Sequence, residues 1–170
     1  MGRDHAFGNV AIVALGDEPA VLNVLEAWFI DEWPGWYGPD GRGEARQDLE
    51  QCLQPAARLP RCLVALDTDG RPLGTVSLRD TSPGSDLYPG AWLTALLVHR
   101  DFRKAGIGGD LIAAAERQAE QLGFPEILTA TATARSLVLK RDWLLVETLQ
   151  PESGPLGLYR KVLAADCPPA

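Results

Sequence analysis

The strongest chemical signal in this 170-residue chain is the run Arg103-Lys104-Ala105-Gly106-Ile107-Gly108-Gly109. Two cations lead into glycines. A helical period follows, with Leu111, Ile112, Ala115, Ala119 and Leu122 on one side and Glu116, Arg117, Glu120 and Gln121 on the other. The first turn of a helix leaves amide N–H groups without intrahelical acceptors and carries a partial positive charge, and glycines let a ligand approach the backbone. Such a turn is an anion seat. Diphosphate suits it, because arginine offers a two-point grip and lysine a point charge.

The elements around the turn must position it. Trp92, Leu93, Ala95, Leu96, Leu97 and Val98, broken only by Thr94, read as a strand buried on both faces and therefore central. Gly123 and Pro125 stop the helix beyond. The spacing is not the Gly-x-Gly-x-x-Gly of dinucleotide-binding turns.

An Arg-x-x-Gly-x-Gly turn, set between a strand ending Leu-x-Val and an amphipathic helix, resembles the acetyl-CoA signature of the GCN5-related N-acetyltransferase (GNAT) superfamily. Arg103, Gly106 and Gly108 carry the match. The resemblance implies an α/β (α+β) GNAT fold: a mixed central sheet of about seven strands flanked by about four helices. A cleft for acetyl-CoA would open where the strand ending at Val98 and the one ending near Thr131 splay apart. It also implies that Leu96 and Val98 pair with the pantetheine arm like an added strand. Leu96, Leu97, Val98, Arg103, Lys104, Ala105, Gly106, Ile107, Gly108, Gly109 and Ala134 would hold acetyl-CoA, a cosubstrate, with no metal.

Composition sets bounds. Apolar residues at 46% and charged residues at 23% are ordinary for a globular protein. A net charge of −7 argues against a general nucleic-acid binder; it would suit a cationic amine substrate, and solubility alone explains it equally well. Cys52, Cys62 and Cys167 lack disulfide or zinc spacing, so a reducing cytoplasm is expected. The apolar run at 10–15 is too short for a signal or a membrane span, and no membrane partner is expected. One domain over 8–163 with a disordered tail at 164–170 is the expected organisation. A homodimer is compatible with the sequence, which fixes no oligomeric state.

Along the chain, a strand at 10–15 leads through a turn with Asp17 as N-cap into a helix with Val21, Leu22, Leu25, Trp28 and Phe29 on one stripe. Residues 31–41 then crowd Trp33, Trp36 and Tyr37 into a segment whose prolines and glycines predict an irregular loop. Rings in a loop are covered either by the domain or by a partner. In GNAT-like proteins this linker overhangs the acceptor site, which makes Trp33, Trp36 and Tyr37 candidates for substrate contact. A second helix at 44–54 is expected to end at Pro55. Strands at 61–66 and 73–79 form a hairpin, 80–90 is a second irregular loop, and strands at 126–131, 143–149 and 157–163 surround a short helix at 134–141.

Acetyl transfer to an amine also needs a proton acceptor and a route to the leaving thiolate. Several family members carry a glutamate four residues before the position of Leu96; here it is Trp92. Asp31, Glu32, Asp86 and Glu147 are substitutes. Val138 stands where the family often has a tyrosine acid, leaving Tyr88, Tyr159 or water. Glu32, Asp86 and Tyr159 are taken as the catalytic candidates. The implied activity is acetyl transfer from acetyl-CoA to a primary amine, of a small molecule or a protein N-terminus, by direct attack in a ternary complex. The alternative is a non-catalytic acyl-CoA-binding sensor.

Overall fold

A computed structural model describes residues 4–5, 8–54 and 58–163. The expected tail at 164–170, with Cys167, and Pro55 lie outside the described residues. The apolar runs become a seven-stranded mixed sheet: β1 (Ala11–Ala14), β2 (Arg61–Leu66), β3 (Pro72–Arg79), β4 (Ala91–Val98), β5 (Glu126–Thr131), β6 (Leu144–Leu149) and β7 (Leu156–Val162). Its order is β1-β2-β3-β4-β5-β7-β6, and only the β4–β5 pair is parallel. The strands at Asp4–His5 and Gly8–Asn9 form a separate ribbon.

Every residue of β2 is buried because helices cover both faces of the sheet. On one face α4 (Ile107–Gln121) lays Leu111, Ile112, Ala115 and Ala119 on Leu63, Ala65, Leu73 and Val76. On the other, α1 (Leu22–Glu32) and α3 (Ala45–Glu50) lay Leu25, Phe29 and Leu49 on Cys62, Val64, Leu66 and Leu97. The two other helices are short, α2 (Pro34–Tyr37) and α5 (Arg135–Leu139).

Two local expectations are corrected. Asp17 caps no helix: the chain makes 3₁₀ turns at Leu15–Asp17 and Pro19–Val21, and α1 starts at Leu22 without a side-chain cap. The segment expected to be irregular contains α2, which raises the helix count to five. Pro34 occupies its first turn, where the missing N–H would have had no intrahelical acceptor.

Two irregularities shape the middle of the sheet. Ser77 pairs with Thr94 and Thr75 with Leu97, so three steps on β4 face two on β3; this is a β-bulge, with Ala95 at φ 50°. On its other side β4 pairs with β5 only through Ala91–Ile127 and Trp92–Leu128. The Thr129 hydroxyl donates to the Leu93 carbonyl at 2.8 Å, and beyond this tie the strands part.

A charged cluster locks α4 to the last strands. Glu116, 8% exposed, accepts from Arg141 at 3.1 and 2.8 Å, from Trp143 Nε1 at 2.8 Å and from Lys161 at 3.2 Å. Burial alone would raise the Glu116 pKa. The bonds from Arg141, Trp143 and Lys161 outweigh it and hold the carboxyl below its ordinary value.

Candidate active site

The expected anion seat is built by local backbone geometry. His99 accepts from the Asp101 amide at 3.3 Å and caps a 3₁₀ turn at Arg100–Phe102. Lys104 at φ 66° and Gly106 at φ 84° then wind the chain into α4. The first bond of the α4 ladder runs from the Asp110 amide to the Gly106 carbonyl, so the amides of Ile107, Gly108 and Gly109 have no intrahelical acceptor. The three glycines do different work. Gly106 takes the left-handed conformation, and a Cβ at Gly109 would meet open space. A Cβ at Gly108 would sit 3.3 Å from Leu137 Cδ1 and 3.7 Å from Val98 Cγ2, so this glycine serves packing. Arg103 folds back: its Nε donates to the Val98 carbonyl at 2.9 Å, and Nη2 lies 3.6 Å from Glu32 Oε2. Open space over Gly109, bare amides and two cations fit a diphosphate-bearing carrier.

A cleft of about 860 Å³ opens where β4 and β5 part. Leu93 to Leu96 of β4 and Thr129 to Ala134 at the end of β5 line it from below. Phe29, Trp33, Trp36 and Tyr37 line it above, with Asp48 of α3 and Arg79 of β3 at the side. Of the expected carrier contacts, Leu96 and Ala134 face this cleft, whereas Leu97 is buried under α1 and α3 and Val98 packs toward α4. The Ala134 amide is held by the Thr131 hydroxyl at 3.0 Å.

The aromatic segment gathers as a wall. Phe29 lies 5.3 Å from Trp33 and 5.6 Å from Tyr37, ring centre to ring centre, and Trp36 lies 6.4 Å from Tyr37. Trp33, Trp36 and Tyr37 therefore meet at the cleft. The Tyr37 hydroxyl donates to Asp48 Oδ2 at 2.7 Å. Burial first, then the neighbouring Asp48, pushes this phenol far above its ordinary pKa, so it remains a donor. Arg79 donates to the Asp48 main-chain carbonyl at 2.7 Å and to Gln51 at 3.3 Å.

The three catalytic candidates do not come together. Glu32 stands at the anion seat beside Arg103, Asp86 is exposed on its loop, and Tyr159, 4% exposed, lies in the core. Gly157 makes room for the Tyr159 ring, which a Cβ there would approach within 2.7 Å. Tyr88 spends its hydroxyl on Glu147 at 2.5 Å. Trp92 is fully buried and bonds the Tyr88 carbonyl at 2.9 Å, so it ties down the second loop. Val138 is fully buried at the cleft floor. Sequence reasoning missed Asp48, the only carboxylate among the described residues that lines the cleft. Its signal was slight: it directly precedes Leu49 on the buried stripe of a short helix.

The sequence model of the family described as Acetyltransferase (GNAT) family matches residues 22–139, from the first residue of α1 to the last of α5. The chain belongs to the GNAT family. This GNAT protein is thus an acetyl-CoA-dependent N-acetyltransferase. Solved structures attest the fold. A GCN5-related N-acetyltransferase from Kribbella flavida superposes with a TM-score of 0.71 at 21% identity, covering 91% of this chain and 98% of that one. An aminoglycoside 6'-N-acetyltransferase complexed with coenzyme A gives 0.71 at 16% identity, over 89% and 96%. The spermidine/spermine N-acetyltransferase SpeG from Vibrio cholerae, in mutant form, gives 0.66 at 15% identity, over 91% and 95%. No curated protein sequence matches this GNAT chain significantly. Among the described residues, no helix is long and apolar enough to cross a membrane, and no His, Cys, Asp and Glu group is placed to hold a metal.

Proposed function

We propose that this GNAT protein acetylates a primary amine of a small molecule, by direct attack on acetyl-CoA in a ternary complex, within one domain spanning 8–163. The observation that carries the reading is the parting of β4 and β5 into a cleft roofed by aromatic rings. Acetyl-CoA supplies the activated thioester. The edge of β4 beyond Trp92, which lacks a strand partner on the β5 side, offers main-chain groups to an extended arm in the manner of an added strand. The amides of Ile107, Gly108 and Gly109, with Arg103 and Lys104, hold the diphosphate. At the bulge Ala95 and Leu96, which line the cleft, lack a paired residue on β3, so a main-chain donor there can meet the oxyanion of the tetrahedral intermediate. Water in the open cleft carries the proton from the amine. The names of the structural neighbours, which act on aminoglycosides and on spermidine or spermine, agree with a small amine acceptor.

Calorimetric titration with acetyl-CoA, followed by thiol release over a panel of amines, tests this reading. Saturable binding and turnover with at least one amine are expected. No binding refutes it, and binding without turnover of any amine favours a sensor.

A further inference from the structure

The acceptor side of the cleft contains two polar groups that the protein leaves unmatched. Asp48 gives Oδ2 to Tyr37, while Arg79 bonds the Asp48 main chain, so Oδ1 has no hydrogen-bond donor among the described residues. The Thr94 hydroxyl oxygen is buried without a partner among the described residues, at a residue that lines the cleft. These two groups stand at different places. Asp48 is tied to Arg79, which pairs with Trp92 on β4, and Thr94 adjoins the bulge at Ala95. Trp92 and Ala95 are three positions apart, about 10 Å along a strand. Trp33, Trp36 and Tyr37 line the same cleft as Asp48, and the faces of such rings attract cations; Arg79 lines it too, its guanidinium turned to Gln51 and the Asp48 main-chain carbonyl.

We propose that the acceptor carries a second positive charge, seated between Asp48 and the rings of Trp33, Trp36 and Tyr37, while its reacting nitrogen lies at the bulge beside Thr94. The proposal rests on the acetyl-transfer reading of the cleft and names its substrate class: a diamine, or an amine with a cationic group several bonds away. The far ammonium keeps its proton throughout. The near nitrogen, as free amine, attacks the thioester carbonyl carbon. The C–N bond forms, the C–S bond breaks, and the proton shed by nitrogen ends on the leaving thiol, so that amide and coenzyme A thiol are the products.

The test compares 1,7-diaminoheptane, whose extended length matches that separation of about 10 Å along the strand, with n-heptylamine as acceptors for the full chain in a thiol-release assay. A charge-assisted contact predicts a kcat/KM ratio of about ten to a hundred in favour of the diamine. Asp48→Asn keeps the size and the Tyr37 contact, and it should collapse that ratio toward one while the Kd for acetyl-CoA stays within about twofold. A ratio near one in the wild type, or a ratio unmoved by Asp48→Asn, overturns the cation seat. If no amine turns over, the transfer reading fails separately. Titration of 1,7-diaminoheptane into the coenzyme A-saturated protein then decides the seat: binding weakened by Asp48→Asn sustains it, and no binding or unweakened binding overturns it.

Discussion

Replacing Glu116 with alanine removes the acceptor shared by Arg141, Trp143 and Lys161 and leaves those donors facing a void. Removing one partner of a fully buried ion pair costs about 3–5 kcal/mol. Here the Glu116 side chain is 10% exposed but those of Arg141 and Lys161 are 30% and 24% exposed. Both cations can turn partly to water, which lowers the cost to about 2–3 kcal/mol. For a chain of this length each kcal/mol shifts Tm by about 2–4 °C, so a loss of about 4–12 °C is expected. Thermal unfolding followed by circular dichroism reads it. The pH dependence has a fixed sign: because folding lowers the pKa of Glu116 from 4.5, its contribution is complete above that value and fades as acid brings the pH down through the lowered one. The gap between wild type and variant should therefore narrow on acidification below pH 4.5. A Tm loss under about 2 °C at neutral pH, or a gap that widens in acid, refutes the reasoning.

Other outcomes follow from the two halves of the cleft. Gly109→Glu puts a carboxylate into open space at the anion seat, so the Kd for coenzyme A should rise at least about tenfold with Tm nearly unchanged; calorimetry and a melting curve check both. Glu32→Gln frees Arg103 from its exposed pair and should tighten coenzyme A about two- to fivefold by titration, the scale of a surface ion pair. Thr94→Val removes a buried hydroxyl that lacks a partner among the described residues, so Tm should hold or rise while KM for the acceptor increases, measured on one preparation. Trp36→Ala, at a half-exposed ring, should raise acceptor KM several-fold and leave coenzyme A binding as it was.

What could be read in advance was what depends on neighbours in sequence. The turn at 103–109 is a local motif, and the strands Arg61–Leu66 and Glu126–Thr131 fall where apolar runs between turn residues place them. The acceptor side is assembled from α1, α2, α3, β3 and β4, so nothing in the sequence near Asp48 announces that Tyr37 will reach it. Glu32 illustrates the same limit. It belongs to the acidic end of α1 by sequence, yet the folded chain sets it against Arg103. Gly108 reads as a ligand-approach glycine; its amide is bare at the seat, while its Cα lies under Leu137, so the missing side chain also serves packing, which only the tertiary fold determines.

The left-handed backbone of Ala95 has a consequence for how guests are accommodated. A residue with a Cβ adopts that conformation at a cost of about 1–2 kcal/mol, and here the pairings Ser77–Thr94 and Thr75–Leu97 enforce it from either side. The course of β4 past the cleft is thus fixed by its pairing with β3, so adaptation to differently shaped guests falls to the side chains of the aromatic roof.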